Sequence, residues 1–137
     1  MFIFVAKINI MPRQDLHIEL LKYILPPEFA TYFDIVSIQD LNGTLHIFLD
    51  ESAAVPEEYL SLDLSPNGFY DECSINDFPL RDRKVVLRVR RRRWKDSSGK
   101  SYSRPWDLTT QGTRYSKEFA AFLKEAFGFL PDSGTNA

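Results

Sequence analysis

The stretch "VVLRVRRRRWKDSSGKSYSRPWDL", residues 85–108, concentrates most of this chain's capacity for chemistry. Val85, Leu87 and Val89 alternate with Val86, Arg88, Arg90 and Arg92, the period of a β-strand with one apolar face. Alternate strand residues stand about 7 Å apart, twice a rise of roughly 3.3 Å. Arg88, Arg90 and Arg92 on one side therefore present guanidinium groups at a spacing close to that of successive phosphates on a nucleic-acid strand. A guanidinium fork grips phosphate oxygens with two hydrogen bonds, and each neutralised phosphate releases condensed counterions. Arg91 and Arg93 fall on the opposite face, so the run must either leave the core as a protruding β-ribbon or turn at a bulge. Arg81, Arg83, Lys84, Lys95, Lys100 and Arg104 surround it. Trp94, Tyr102 and Trp106 interleave aromatic surface, fit for packing on sugar or stacking on an unpaired base. Trp94 and Trp106 taken singly are more simply core or hairpin-packing residues.

The chain of 137 residues carries a formal charge of only −2, which hides a segregation. From Arg81 to Arg104, eleven Lys or Arg stand against Asp82 and Asp96, a net of +9, while the remainder nets −11. Three readings follow. The ribbon meets nucleic acid, or it pairs with the acidic remainder within one molecule or across a dimer, or it is simply solvated. Composition does not choose DNA over RNA.

Other chemistry is sparse. No glycine-rich phosphate loop or dinucleotide fingerprint occurs. His17 and His46 read as surface residues, and Cys73, alternating with apolar positions, as a core residue. One lone cysteine excludes an intrachain disulfide and a Cys-rich zinc site, and points to a reducing, cytoplasmic setting. Asp82-Arg83-Lys84, with Asp71 and Asp77 before it, is the short Asp-x-Lys pattern of some Mg²⁺-dependent nucleases. Here it falls in an expected turn rather than a strand, and the chain is read as no enzyme.

The elements that must hold the basic stretch are read as follows. Leu16, Leu20, Leu21 and Ile24 form a helical stripe over residues 15–24, stopped by Pro26-Pro27, and residues 28–33 form a second short helix. Asn42-Gly43 suits a type I′ turn, whose register opposes Ile38 to Ile47, Val36 to Leu49 and Gln39 to His46. One helical turn is expected over residues 56–59. "FYDECSI" is a third strand, residues 85–93 a fourth, and residues 100–106 return as a fifth after a hairpin loop at 96–99. Ser116 is the N-cap of an amphipathic helix with Phe119, Phe122, Leu123, Ala126 and Phe127 on one stripe, closed by Gly128. No apolar run approaches membrane-span length, and the opening segment lacks the marks of a signal peptide. Met11 is a plausible alternative start. The expected architecture is one α+β domain over residues 13–128, preceded by an extension (1–12) and followed by a flexible tail (129–137). It has an antiparallel sheet of about five strands, short N-terminal helices, a C-terminal amphipathic helix and a basic β-ribbon at 81–106.

The block "GFYDECSINDFPLRDRKVVLRVRRRRWKDSSGKSYSRPWDLTTQGTRYSKEFAAFLKE" resembles the N-terminal region of bacterial insertion-sequence transposases of the ISAon type. "ELLKYILPPEFATYFDIVSI" and "VPEEY" are similar to the same region, and the likeness extends over residues 16–128. Its most specific parts are "DFPLR", the strand leading to "RRRRW", and "GTRYSKEFAAFLK". Related transposases set a basic strand after an Asp-apolar-Pro-apolar turn and flank it with zinc-binding cysteines. Asp77 to Leu80 and Val85 to Arg93 match the turn and the strand. The cysteines do not match, since Trp94 stands about where a ligand would begin, and no zinc or other cofactor is expected. The resemblance implies a non-catalytic module that binds DNA at the ends of a mobile element beside a separate catalytic transposase chain, with a homodimer as a further option. Arg88, Arg90 and Arg92 are the expected main phosphate contacts. The alternative is a protein-interaction module whose ribbon docks on an acidic surface of the catalytic chain or of a second copy.

Overall fold

The structure, a computed structural model, describes residues 13–111 and 113–131. The N-terminal extension and most of the tail lie outside the described residues. Helix α1 (Arg13–Ile24) ends before Pro26-Pro27, and Pro27 opens α2 (Pro27–Tyr32), where its missing N–H leaves no hydrogen bond unmade. Of the expected α1 stripe, Leu21 packs against the core, whereas Leu16 and Leu20 are exposed. Strands β1 (Phe33–Leu41) and β2 (Thr44–Glu51) join through Asn42 and Gly43, with φ of 54° and 82°, as a type I′ turn requires.

Ile38 faces Ile47 and Gln39 faces His46 as expected, but Val36 does not meet Leu49. A bulge between Ile35 and Ser37 brings Ile35 opposite Leu49 and leaves Val36 exposed. Without that extra residue, strict alternation would turn Asp34 toward the core and Phe33 and Ile35 to water. With it, Phe33 is buried and Asp34 is exposed.

A 3₁₀ turn (Glu57–Leu62) leads to β3 (Ser65–Phe69) and β4 (Cys73–Leu80), so the segment expected as one strand supplies two. The chain reverses at Arg81-Asp82 into β5 (Arg83–Arg90), and β6 (Arg92–Lys95) follows almost without interruption. The return strand shrinks to β7 (Ser101–Tyr102). The fold is α+β, with seven strands among the described residues in two sheets, one ordered β1-β2-β5-β4 and the other β3-β6-β7. Every pairing is antiparallel except β2 with β5, where Leu45, Ile47 and Leu49 lie beside Val85, Leu87 and Val89. The long crossover through β3 and β4 makes that parallel contact feasible, and it seats β5 between β2 and β4 with Val85, Leu87 and Val89 buried.

Leu25, Phe29 and Phe33 close the core over Ile47, Leu49, Ile75, Leu87 and Val89, with Trp106 stacked on Phe33 at 5.3 Å. Trp94 is fully buried. Helix α3 (Lys117–Phe127) ends at Gly128, whose φ of 79° and N–H bond to the Lys124 carbonyl form the left-handed stop. Only Ala120, Leu123 and part of Phe119 pack inward; Phe122 and Phe127 of the expected stripe are exposed. The helix is anchored at its start, where Ser116 N–H bonds to the Asn76 carbonyl at 2.9 Å and the Ser116 hydroxyl to Asp77 at 2.7 Å. Ser116 thus stands at the N-cap without capping the helix by its side chain.

Removing an indole with no solvent exposure leaves a large cavity. Trp94→Ala is expected to lower stability by roughly 3–5 kcal/mol, read from the midpoint of urea unfolding, while Trp94→Phe retains much of the loss.

Candidate nucleic-acid interface

The arginine run does not leave the domain as a free ribbon. At Arg91 the strand passes from the first sheet into the second, pairing Arg92 with Phe69, Trp94 with Pro66 and Lys95 with Ser65. The buried side changes there. Odd-numbered Val85, Leu87 and Val89 are buried in β5, whereas even-numbered Trp94 is buried in β6. Alternation then sorts the five arginines onto two faces.

The even-numbered row, expected to carry the phosphate contacts, is engaged within the molecule. Arg88 bonds through Nε to Glu72 at 2.8 Å, makes a second guanidinium contact with the same carboxylate and lies over the Phe48 ring. Arg90 holds Asp50 with two hydrogen bonds of 2.7 and 2.6 Å, the geometry that makes guanidinium–carboxylate pairs strong. Asp50 is its direct neighbour in the parallel ladder. Arg92 donates Nε–H to the Glu51 carbonyl at 3.1 Å, and its backbone N–H to the Glu51 carboxylate at 3.0 Å. The Phe69 ring lies between Arg90 and Arg92, 4.2 and 4.5 Å from their guanidinium carbons. Arg104, which stacks on Tyr32 and Trp106, reaches the same buried Glu51 at 3.4 Å.

The odd-numbered row is different. Arg91 and Arg93 both rest on Tyr70, at 4.8 and 5.4 Å, and Lys95 continues the row into solvent. Among the described residues no carboxylate lies within 4 Å of Arg91, Arg93 or Lys95, nor of Arg81, Lys84, Lys100 or Arg114. Arg83 instead pairs with Asp40 at 2.8 Å and Asp82 at 3.3 Å, which holds the Asp40 carboxyl below its usual range. Arg81, exposed at the reversal with φ of 59°, and exposed Lys84 stand at the far end of β5 from the odd row. Lys100 lies over Tyr102 across the hairpin from Lys95. Trp94 and Trp106 are packing residues, and neither presents a free face for base stacking.

Sequence reasoning missed Glu51, Phe69, Tyr70 and Arg114. Phe69 and Tyr70 are adjacent, so they point to opposite faces, and each takes the two arginines of its own side. Arg114 acts with Arg91 on the Cys73 thiol; both favour the thiolate, but desolvation by the neighbouring groups outweighs them and pushes the thiol up. Cys73 itself lies at the exposed start of β4, a correction to its reading as a core residue. His17 is exposed, while His46 is half-buried beside Arg88 at 3.4 Å.

The Asp-x-Lys pattern makes no cation site. Asp82 pairs with Arg83, Asp71 is exposed, and Asp77 is buried against Ser116. Among the described residues no three His, Cys, Asp or Glu side chains cluster to hold a metal. No described helix is long and apolar enough to cross a membrane. No family model, curated protein or solved structure matches the chain.

Two groups here generate expectations. Glu51→Ala leaves Arg104 and the Arg92 N–H without their carboxylate and is expected to cost roughly 3 kcal/mol, measured by chemical denaturation. Burial pushes the Asp77 carboxyl up, against the opposing hydrogen bonds from Ser116 and the Phe78 backbone. A raised folded pKa favours the protonated form. Stability is therefore greatest below the ordinary carboxylate value and falls as pH rises through the raised one. Asp77→Asn, which keeps an acceptor for Ser116, should abolish that decline and raise the melting temperature at pH 7, seen in thermal melts from pH 4 to 8.

Proposed function

We propose that this chain is a non-catalytic DNA-binding module, an N-terminal or accessory part of an insertion-sequence transposase, that meets the phosphate backbone through its odd-numbered row. Arg91, Arg93 and Lys95 are the central contacts, with Arg114 beside them and Lys100 at the tip on the other face of the hairpin. The observation that carries the reading is the division of the arginine run: Arg88, Arg90 and Arg92 bond to Glu72, Asp50 and Glu51, while Arg91, Arg93 and Lys95 have no carboxylate among the described residues. Tyr70 supports the two arginines without neutralising them, since a ring face attracts a cation but carries no net charge. Three cations about 7 Å apart suit a phosphate track. The resemblance of residues 16–128 to the ISAon-type N-terminal region supplies the assignment to DNA and to the ends of a mobile element. Cutting and joining then belong to a separate catalytic chain, which this module positions in the cytoplasm.

A second reading is favoured by the even-numbered pairs. Arg88 and Arg90 remain 30% and 45% exposed while bonded to their carboxylates. A partner with an acidic surface, such as the catalytic chain, would dock by exchanging those carboxylates for its own.

The test is a salt titration of duplex binding, using the ends of the neighbouring mobile element and a scrambled duplex. With about five phosphates neutralised, log K should fall against log salt with a slope near −4 to −5. Replacing Arg91, Arg93 and Lys95 by Ala should flatten that slope by roughly 3 and weaken both duplexes alike. The charge-neutral pair Arg90→Ala with Asp50→Ala should leave affinity within about twofold, because it removes a cation already matched. Salt-insensitive binding, or loss confined to the Arg90–Asp50 variant, would overturn the assignment.

A further inference from the structure

The odd-numbered row runs directly into the turn between β6 and β7, and one carboxylate organises that turn. Asp96 Oδ1 accepts the Ser98 N–H at 2.9 Å, the Ser98 hydroxyl at 2.6 Å and the Lys100 N–H at 3.0 Å. Its other oxygen accepts the Tyr102 hydroxyl at 3.1 Å. The backbone closes the same loop twice, Asp96 N–H to the Lys100 carbonyl and Gly99 N–H to the Asp96 carbonyl, each at 3.0 Å. Gly99 turns with φ of 89°, a conformation a side chain would strain. Six hydrogen bonds thus fix five residues, and both oxygens of the acid are turned inward. What remains outward is small or cationic: Lys95, Ser97, Ser98, Gly99 and Lys100 are all exposed.

An exposed polar hairpin does not need this many internal bonds to fold, since its groups could bond to water at little net cost. The bonds do hold the turn that ends the Arg91–Arg93 row in one shape, with Lys95 on the face of that row and Lys100 over Tyr102 on the other. Asp63, at the end of the 3₁₀ turn, and Asp96 are the acids lining the hollow beside the tip, together with Lys95 and Ser97.

We infer that the β6–β7 turn is a pre-shaped contact for duplex DNA that extends the odd-numbered row, with Asp96 as its positioning residue. The inference rests on the DNA-binding reading above. Association with a loop that is already ordered loses less side-chain and loop freedom, and the gain appears as affinity. The carboxylate contributes by shape, although its charge alone would repel the ligand. Its pKa is held below the ordinary carboxylate value, chiefly by the Ser98 hydroxyl, so it stays ionised and keeps accepting at neutral pH.

Shape and charge predict opposite signs, and two substitutions separate them. Asp96→Asn and Asp96→Ala each remove one negative charge. The asparagine keeps an acceptor at Oδ1 for Ser98 and Lys100, whereas the alanine keeps none. Binding of the whole chain to a fluorescent duplex is measured at fixed salt for wild type and both variants. Amide exchange at Ser98 and Lys100 reports whether the turn has loosened. The expected result is that Asp96→Ala binds roughly three- to tenfold more weakly than Asp96→Asn, with faster exchange only in the alanine variant. Alanine binding as tight as asparagine, or tighter, would overturn the inference and leave the DNA reading standing. Loss of exchange protection in Asp96→Ala without loss of affinity would overturn it equally. A wild-type chain that binds no duplex at low salt removes both at once.

Discussion

The buried carboxylate of Glu51 is the constraint on which the arrangement of charge depends. It sits at the end of β2, almost without exposure, where the first sheet stops and the basic strand crosses into the second. Its oxygens take the Arg92 backbone N–H and the Arg104 guanidinium, and its carbonyl takes the Arg92 side chain. A buried carboxylate is tolerable only when several donors satisfy it. Here the acid belongs to the first sheet and its donors to the chain after the strand break, so satisfying the acid also fixes the crossing. That crossing decides which arginines face the molecule and which face away.

The consequence reaches outward in layers. Because Arg92 is held inward, Trp94 follows it into the interior and Arg93 turns to the other face. Because β5 lies parallel to β2, Asp50 stands beside Arg90 and closes a two-bond pair. The acidic surplus is therefore not spread evenly around the ribbon. It neutralises one face of a single strand and leaves the other, half-buried over Tyr70, without a carboxylate among the described residues. A chain with a net charge near zero can in this way carry a locally strong positive surface.

Much of the fold could be read from local signals. Asn42-Gly43 specified the first turn, the Val85-Leu87-Val89 alternation specified the central strand, and Gly128 specified the end of the last helix. Each of these depends on residues close in sequence. What could not be read depends on distant ones. The bulge at Val36 is chosen by the need to keep Asp34 out of the core, which becomes visible only once the core is known. The acids that pair with Arg88, Arg90 and Arg92 lie 16, 40 and 41 residues away, brought in by the crossover and the parallel pairing. Alternation correctly separated the arginines into two faces, but it gave no sign of which face would be neutralised. The long apolar stripe of the last helix misled for a related reason, because the helix turns Ala120 and Leu123 inward and leaves Phe122 and Phe127 exposed, Phe122 meeting Phe78 edge-on.

The pairing of one arginine row with Glu72 and Asp50 leaves the molecule with a concealed second surface of the same sign. Loss of either acid by a single-base change would unmask a guanidinium already in place, on a strand already folded. The positive surface would then widen by the discarding of acids rather than by the acquisition of new bases. The acidic partners set how much of the strand is positive, and drift at positions 50 and 72 would change it without disturbing the core.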